Sequence, residues 1–386
     1  MAERGALVEV APTPVASTDD RQWVVVLSGT PWAGGAHRQH ALARELTVDH
    51  RVLFVDPPGH RPRWRVRVRQ VADGLWQCSG PALLPFGRHL PPANRANRWF
   101  AALLLRRWLR RQAATVRLLW LDEDLAAPVA GRLGASAVVY DATDLDWTFT
   151  RRWNRWHLRA ALRRAVGAAD LVLASSAALP ERMPACDPAP VVLPNGCDPE
   201  RFAPDGPVAP WLLGQRRPVI GYSGAIDTRA FDADLVAEVA RAHPGWTFLL
   251  IGPSTRTGRA PLAGLSNVTV LDAVAFADVP GILRACDVTI IPYRVGGLVD
   301  YVHPKKCYEY LALGKPVVAT PLPALRPLAG TIALAGDPQA FGAALADALD
   351  RADAPEEAAR RRELASRNSW SARGVQLRTL LAGLPR

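Results

Sequence analysis

The chain has 386 residues, of which 49% are hydrophobic, with a mean hydropathy near zero and a formal net charge of +11. This length exceeds one ordinary hydrophobic core, so two domains are expected. No apolar run approaches the roughly 18 residues that a membrane-spanning helix needs. The five cysteines are scattered, without a CxxC pair or metal-ligand spacing, which favours free thiols in a reducing cytoplasm and no metal site.

Short apolar runs alternate with helical segments through the first half of the chain. Residues 1–20 are predicted to be a flexible tail, and residues 21–196 a Rossmann-like domain. Fully apolar strands separated by helices are typical of a parallel sheet that is covered on both faces. The predicted strands are 23–29, 51–59, 117–125, 137–144, 170–176 and 190–196.

The same alternation restarts in the second half. Residues 197–217 are rich in proline and polar turn residues, which indicates an interdomain linker. Residues 218–365 are predicted to be a second Rossmann-like domain, with residues 366–386 as a closing helix. Its predicted strands are 217–224, 246–254, 267–274, 286–294, 315–322 and 331–337. Ligands of such sheets bind beyond the carboxyl ends of the strands, so the informative residues are expected there.

The lysines of this chain are confined to one place. Lys305, Lys306 and Lys315 are the only three, and the other 44 cationic side chains of the Lys and Arg class are arginines. Lysine carries a compact, mobile charge that can follow a phosphate, whereas the arginine head is a rigid fork. The cluster therefore predicts an anion-binding centre, with chance clustering on a solvated helix as the alternative.

The residues around these lysines support a nucleotide site. The amides of Gly296 and Gly297 can cradle a sugar and its phosphate. Pro304 is predicted to be the first residue of a helix, whose dipole and free amides add to the charge of Lys306. Glu309, one turn into that helix, can accept two hydrogen bonds from a vicinal diol such as ribose. Together these features predict a nucleoside-diphosphate site that also includes Lys305.

Other strand ends carry small residues that let a ligand approach the backbone. The pattern is not GxGxxG and lacks an acidic residue spaced for a ribose, which argues against a Rossmann dehydrogenase. Ordinary turn glycines and a surface arginine are the alternative. The candidates are Gly34 and Gly35 after the first strand, Ser223, Gly224 and Arg229 after the first strand of the second domain, and Gly252 as a wall for a base.

Carboxylates that follow first-domain strands are candidates for the cleft wall and for binding a second substrate. Asp122, Asp141 and Asp144 are candidates, together with His37 at the start of a helix. The alternatives are that the carboxylates cap the next helix and that the histidine only packs.

Three basic segments interleave arginine with tryptophan: 61–69, 95–112 and 151–164. This pattern fits peripheral contact with an anionic membrane or with an acidic partner, whereas nucleic acid is not expected. A solvated arginine face is the alternative.

Several of these stretches resemble the retaining GT-B glycosyltransferases of the family 4 group. They are PWAGGAHRQHALAREL, DLVLASS, LPNGCDPERFAP, IGYSG and PKKCYEYLALGKPVVAT. The resemblance implies an α/β fold of two Rossmann-like domains that face a central cleft. It also implies that the first domain binds the acceptor, the second binds a nucleotide-sugar, and helix 366–386 packs back toward the first domain.

The resemblance assigns roles to individual positions. Glu309 matches the glutamate that holds the ribose hydroxyls, and Lys306 lies at the basic position of the P-x-K-x-x-E variant. Gly296 and Gly297 fall in the loop that meets the sugar and phosphates. The N-terminal glycine loop of the family is matched by Gly34 and Gly35.

The chain departs from the family at two places. Many relatives carry a glutamate where this chain has Tyr301, so Asp300 is the candidate substitute and a predicted catalytic residue. The usual arginine after the second-domain glycine is Ala225 here, so Arg229 is the candidate replacement.

The resemblance implies glycosyl transfer with retention, without a metal and without a cofactor beyond the nucleotide-sugar. Lys306 and Arg229 would stabilise the departing diphosphate. The alternatives are a catalytically degenerate GT-B protein that binds a nucleotide or a partner, and a nucleotide-sugar epimerase. The acceptor is left open among lipid-linked, carrier-bound and small natural-product molecules, and the expected location is the cytoplasm or the inner face of the membrane.

Overall fold

The computed structural model describes residues 22–33, 35, 37–59, 61–143, 155–352 and 354–385. The predicted tail, Gly34 and Asp144 therefore lie outside the described residues.

The first sheet is almost entirely parallel. Its strands run in the spatial order β3-β4-β2-β1-β5-β6-β7-β8, and only β3 is antiparallel to its neighbour. Neighbouring residues of β1 pack into different cores, Val25 on one face of the sheet and Val24 on the other. The strands are β1 (Trp23–Leu27), β2 (Arg51–Val55), β3 (Val68–Ala72), β4 (Leu75–Cys78), β5 (Val116–Leu121), β6 (Ala137–Ala142), β7 (Leu171–Ala174) and β8 (Val191–Val192).

The hairpin of β3 and β4 was not predicted. The run of alternating valine and arginine before it was interpreted as charge alone. Alternation followed by Asp73-Gly74 is a typical hairpin signal, because the turn requires a positive φ that glycine adopts easily. Gly74 has a φ of 68°.

Within its described residues the first domain contains three α-helices: α1 (Arg38–Glu45), α2 (Pro91–Arg111) and α3 (Arg155–Gly167). On α2 the buried face includes Leu105, Trp108 and Leu109, and Trp108 packs edge-on against Trp23 with ring centroids 5.5 Å apart. Across the described residues, no helix is both long and apolar enough to cross a bilayer.

The second sheet is fully parallel, in the order β11-β10-β9-β12-β13-β14. With its helices it confirms the prediction of two doubly wound α/β sheets. The strands are β9 (Val219–Ser223), β10 (Thr247–Ile251), β11 (Val268–Leu271), β12 (Val288–Ile291), β13 (Val317–Ala319) and β14 (Ala333–Leu334). The helices are α4 (Ala233–Ala242), α5 (Arg256–Arg259), α6 (Val279–Arg284), α7 (Lys306–Ala312) and α8 (Pro338–Asp350).

The end of the chain connects the two halves. Helix α9 (Pro355–Arg367) packs on α7, where Arg361 donates from Nη1 to the carbonyl oxygen of Gly314 at 3.0 Å. Helix α10 (Trp370–Ala382) instead packs on α1, with Leu377 and Leu381 in the core that contains Leu42. The two sheets lie on either side of residues 197–217 in the sequence, and the predicted domain boundaries stay predictions.

Candidate active site

A cavity of about 260 Å³ opens between the strand ends of the first sheet and the segment before α7. The second domain contributes Val302, His303 and Lys305 to its wall. The first-domain wall consists of Gly29, Thr30, His37, Arg38, Gln39, Arg88, Asp122, Glu123, Thr143 and Asn195. The segment before α7 therefore faces the gap between the two halves, where a donor and an acceptor can meet.

Asp122 is a buried carboxyl group in the cavity wall. Its Oδ2 accepts hydrogen bonds from the hydroxyl of Ser28 at 3.1 Å and the amide of Gly29 at 3.2 Å. Its Oδ1 is buried and has no hydrogen-bond partner among the described residues. Burial, together with the nearby charge of Asp141, raises the pKa of Asp122 well above its usual value. A substrate hydroxyl could form a hydrogen bond with this oxygen, and the acceptor role of Asp122 stays a prediction.

Asp141 is engaged inside the protein. Both of its carboxylate oxygens accept hydrogen bonds from Arg38, at 2.9 to 3.1 Å, and both residues are buried. Arg38 also donates from Nη1 to Oδ1 of Asn195 at 3.3 Å, and Asn195 donates from Nδ2 to the carbonyl oxygen of His303 at 2.7 Å. Asp141 therefore orients Arg38, and the network reaches the second domain.

Three charged residues of this wall were not predicted from the sequence. Arg38 gives no compositional signal, because it is one of 44 arginines. Glu123 follows Asp122 in an acidic run, is 5% exposed, and is paired with the buried Arg98. Arg88 approaches Glu123 to 3.9 Å and also lines the cavity.

Gly35 and His37 lie where α1 begins. A Cβ at Gly35 would lie 2.4 Å from the ring of His40, so close packing against that ring requires glycine there. The ring is held by a hydrogen bond between Nε2 of His40 and the carbonyl oxygen of Pro31 at 3.0 Å. His37 lines the cavity, and burial together with the charge of Lys305 lowers its pKa.

Lys306 lies at the carboxyl ends of the second-domain strands. Its Nζ donates to the hydroxyl of Tyr222 at 3.1 Å and lies 4.2 Å and 4.9 Å from the ring centroids of Tyr222 and Tyr293. A Cβ at Gly224 would lie 2.1 Å from this nitrogen, so a side chain there would displace the ammonium group. No acidic side chain in the described part of the chain forms an ion pair with Lys306. Its charge is therefore held in place by aromatic rings and left without a counterion.

The predicted small residues are close to this lysine. The ends of β9 and β10 lie close together here. A Cβ at Gly252 would be 2.2 Å from the carbonyl oxygen of Gly224, so the close approach requires glycine. The amide of Ser223 donates to the hydroxyl of Tyr310 in α7 at 2.8 Å. The fold thus collects Ser223, Gly224, Gly252 and Lys306 at one corner.

Glu309 and Lys305 form an ion pair at 2.9 Å. Glu309 is 8% exposed, and Nζ of Lys305 lies 4.9 Å from the ring of Phe276. The prediction that Pro304 opens α7 is wrong, because the helix begins at Lys306 and Lys305 precedes it as the cap. The carbonyl oxygen of Pro304 accepts the amide of Cys307 at 3.1 Å, so the proline lies in the turn that leads into the helix.

Solved structures share this architecture over nearly the whole chain. Sucrose-phosphate synthase from Thermosynechococcus elongatus superposes with a TM-score of 0.70 at 17% identity, over 94% of this chain and 98% of that one. Anabaena HepE, in complex with UDP and glucose, superposes with a TM-score of 0.65 at 16% identity, over 94% and 99% of the two chains. The chain has the GT-B fold of glycosyltransferases.

Shorter stretches of the chain also match glycosyltransferases in sequence. Residues 217–351 match the family described as glycosyl transferases group 1. The proposed teichuronic acid biosynthesis glycosyltransferase TuaH of Bacillus subtilis (strain 168) is 31% identical in an alignment of 206 positions, which covers 48% of this chain and 51% of that protein. The match therefore spans about half the length of this relative.

In this GT-B chain the glycine loop of the second domain holds a carboxylate of its own. The amides of Gly296 and Gly297 donate to Oδ1 and Oδ2 of Asp300 at 3.1 Å and 3.0 Å. Both glycines have positive φ, 93° and 105°. The amides that were predicted to hold the donor are thus occupied by the predicted catalytic Asp300. The donor can use these amides only if the carboxylate moves.

The two departures from the GT-B family pattern have different surroundings. Tyr301 contacts the first domain, since its hydroxyl accepts from Nε of Arg182 at 2.6 Å and its carbonyl oxygen accepts from the hydroxyl of Ser176 at 2.5 Å. Arg229 is exposed, and its amide donates to Oδ1 of Asp227 at 2.9 Å. The neighbouring Arg294, which was not predicted, pairs with Asp234 at 2.8 Å. The described residues contain no group of three side chains suited to a metal ion.

Proposed function

We propose that the protein is a glycosyltransferase that moves a sugar from a nucleoside-diphosphate-sugar to an acceptor, with retention of anomeric configuration and without a metal. The observation that carries this proposal is the uncompensated ammonium group of Lys306, held between two tyrosine rings at the corner formed by Gly224 and Gly252. The GT-B fold, the family match of residues 217–351 and the similarity to TuaH support the reaction class.

The donor is proposed to occupy the second-domain side of the cleft. The structure of HepE contains UDP and glucose, which supports a nucleotide-sugar as the donor class. Glu309 is proposed to accept hydrogen bonds from the ribose hydroxyls. Its ion-pair partner Lys305 either keeps its contact with the carboxylate or gives it up when the ribose binds. Ser223, Gly224 and Gly252 are proposed to lie beside the diphosphate and base, because they share one corner with Lys306.

The proposed mechanism depends on where negative charge develops during the transfer. As the bond from the anomeric carbon to the phosphate oxygen breaks, negative charge grows on the departing diphosphate, and Lys306 stabilises it. Arg229 is the proposed second cation. The acceptor hydroxyl attacks the anomeric carbon from the face of the leaving group and gives its proton to the departing phosphate oxygen. No protein nucleophile is needed for this step.

The acceptor is proposed to bind in the first-domain wall of the cavity. Oδ1 of Asp122 offers an unoccupied acceptor for a substrate hydroxyl, and Arg38 and His37 lie in the same wall. The protein is proposed to act in the cytoplasm, with contact at the inner face of the membrane. The acceptor class stays open among lipid-linked, carrier-bound and small natural-product molecules.

Incubation with a panel of nucleotide-sugars tests the proposal. Release of nucleoside diphosphate should depend on the acceptor, persist in EDTA and give a product with the donor's anomeric configuration. UDP binding without turnover across the acceptor panel would favour the degenerate binder. Accumulation of an epimeric nucleotide-sugar without acceptor would favour the epimerase.

Glu309→Gln tests the donor assignment. The substitution keeps the shape but removes the charge, so UDP affinity should fall about tenfold or more, as expected for hydrogen bonds to a charged group. Glu363→Gln is the matched control, because Glu363 forms an i,i+4 pair with Arg367 on the exposed side of α9. Calorimetric titration with UDP gives both affinities. Equal affinities for the two variants would remove Glu309 from the donor site.

A further inference from the structure

The whole net charge of the protein is concentrated in one part of the first domain. Residues 61–112 contain 12 arginines and a single acidic residue, Asp73, which gives +11, the value for the entire chain. The rest of the sequence is therefore balanced. Charge that merely keeps a protein in solution has no reason to collect in one place.

Helix α2 presents part of this charge on its solvent side. Arg95, Trp99, Leu103, Arg106 and Arg110 are exposed and recur at helical spacing. The two apolar members are large and are 55% and 51% exposed. No ion pair joins these three arginines to an acidic side chain within the described ranges. The solvent side of α2 thus alternates apolar groups with unpaired cations.

The turn before α2 continues this surface. Leu84, Phe86 and Leu90 are 42%, 63% and 50% exposed. Phe86 has a φ of 60°, a conformation that is unfavourable for a bulky residue. The turn is nevertheless fastened, because Oδ1 of Asn97 accepts the amides of Leu83 and Leu84 at 2.8 Å and 2.7 Å. The fold therefore holds large apolar side chains in water.

A third segment completes the surface. Trp64 is 62% exposed and meets Phe100 of α2 edge-on, with ring centroids 6.2 Å apart. The backbone of Arg63 forms an antiparallel β-bridge with Ala82, which lies just before the turn at residues 84–90. Residues 61–65, residues 84–90 and the solvent side of α2 are therefore contiguous, and are named the Arg/Trp face.

We propose that the Arg/Trp face docks the protein on an anionic lipid bilayer. Tryptophan, phenylalanine and leucine inserted among head groups gain from burial, and arginines around them are attracted to anionic lipids. The phosphate backbone of a nucleic acid would satisfy the arginines but would give no burial to Leu84 or Leu103. The combination of exposed apolar groups with cations and almost no acid matches the interface of a bilayer.

Docking through the Arg/Trp face would place the membrane close to the cleft. Arg88 belongs to the turn of the Arg/Trp face and also lines the cavity. A bilayer on this face therefore lies beside the first-domain wall of the cleft. If the proposed transferase function holds, the acceptor is a molecule carried by the membrane.

Vesicle flotation tests the docking without any catalytic step. The vesicles contain phosphatidylcholine alone, or phosphatidylcholine and phosphatidylglycerol in equal parts. The apolar variant combines Trp99→Ser with Leu103→Ser. The charge variant combines Arg106→Gln, Arg107→Gln and Arg110→Gln.

Matched controls make the same chemical changes outside the Arg/Trp face. Trp211 and Leu213 are 49% and 76% exposed in the linker, and the three control arginines are exposed in the second domain and α9. The controls are Trp211→Ser with Leu213→Ser, and Arg241→Gln with Arg326→Gln and Arg360→Gln.

The protein and both controls should float with the anionic vesicles. The charge variant should lose about a hundredfold in partitioning, at about fivefold for each of the three arginines. The apolar variant should lose about tenfold or more, from lost burial. Unfolding midpoints that match the controls would show that the variants are folded.

Three results would overturn the docking proposal. They are absence of flotation, equal losses in variants and controls, and an apolar variant that binds as well as the parent, which would indicate a purely ionic partner such as an acidic protein or nucleic acid. The outcome is independent of the transferase proposal. A protein that floats but releases no nucleoside diphosphate would retain the membrane face and lose the enzymatic assignment.

Discussion

At the scale of single residues, Lys306 shows why lysine stands where arginine is otherwise used. Its ammonium group fits between the rings of Tyr222 and Tyr293 and beside the Cα of Gly224. A planar guanidinium is wider and carries a fixed fork of donors, so it does not fit a site built around a point charge. The compositional exception in the sequence therefore has a steric cause.

Lys306→Gln should lower kcat about a hundredfold to a thousandfold, because the growing charge on the leaving diphosphate loses its stabilising cation. UDP affinity should change much less. Lys315→Gln is the matched control, since the ammonium group of Lys315 donates to the carbonyl oxygen of Arg284 at 2.8 Å. Steady-state kinetics with the active nucleotide-sugar measure both. Equal kcat in the two variants would exclude Lys306 from the reaction.

His303 should make stability depend on pH. Burial, with the charges of Arg373 and Arg38, lowers the pKa of His303 to about 4 from an ordinary 6.5. The unfolded chain then binds a proton that the folded chain does not. The contribution of the neutral histidine is thus complete above about pH 6.5 and is lost as the pH falls toward about 4.

His303→Gln tests this dependence. Between pH 7 and pH 5 the free energy of unfolding of the parent should fall about 2 kcal/mol further than that of the variant. Urea denaturation at the two pH values gives the difference. His89→Gln, at an exposed position, should behave as the parent. Parallel losses in the parent and in His303→Gln would mean that the imidazole is protonated in the folded protein.

At the scale of elements, α7 owes its place to its neighbours. Its seven residues are too few to form a stable helix alone. The hydroxyl of Tyr310 joins it to the amide of Ser223, and Arg361 of α9 binds the carbonyl oxygen of Gly314 just beyond its end. These contacts set where Lys306 and Glu309 stand relative to β9.

Tyr310→Phe should cost about 1–3 kcal/mol of stability, because the buried amide of Ser223 loses its partner. UDP affinity should also fall, since α7 is no longer tied to β9. Tyr140→Phe is the control, because it removes a buried hydroxyl that donates to Asp124 in the first domain. Thermal unfolding and UDP titration separate the two effects. A Tyr310→Phe variant with lower stability and unchanged affinity would show that the contact only supports the fold.

At the scale of the whole molecule, polar contacts join the two domains beside the cavity. Asn195 of the first domain binds the carbonyl oxygen of His303, and Tyr301 of the second domain accepts from Arg182 and Ser176. Polar contacts of this kind are individually modest. The domains are therefore expected to adjust their separation when a substrate enters.

Asn195→Ala combined with Tyr301→Phe should increase the radius of gyration without ligand, because two of the three named contacts between the domains are lost and only that of Ser176 with the carbonyl oxygen of Tyr301 is kept. Small-angle X-ray scattering measures the change. Asn267→Ala is the control, since its amide donates to three carbonyl oxygens within the second domain, among them that of Ala240 at 3.0 Å. The control should lose stability and keep its dimensions. An unchanged radius in the double variant would assign domain positioning to α10.

The sequence indicated the strands well because buried parallel strands are continuous apolar runs. The hairpin of β3 and β4 was missed because its alternation coincided with a run of arginines. The start of α7 was predicted two residues too early, at Pro304, since proline is tolerated both inside and just before the first turn of a helix. These errors arise where one residue pattern satisfies two local structures.

The predicted site was less complete than the predicted fold. Lys306, Glu309 and the glycines could be chosen because their residue types are uncommon or carry a backbone preference. Arg38 and Glu123 could not, because their importance comes from burial and from partners far away in sequence. The carboxylate of Asp300 on the amides of Gly296 and Gly297 was equally invisible, since it depends on the path of a loop.

By itself, the sequence determined two α/β sheets and the position of the lysine that is predicted to bind phosphate, because apolar periodicity and residue type act locally. The tertiary structure alone decided that Lys306 has no acidic partner in the described chain, and that the arginines and exposed aromatic residues of residues 61–112 share one face. Those properties depend on distances between segments far apart in sequence, and such distances exist only once the sheets and helices have packed.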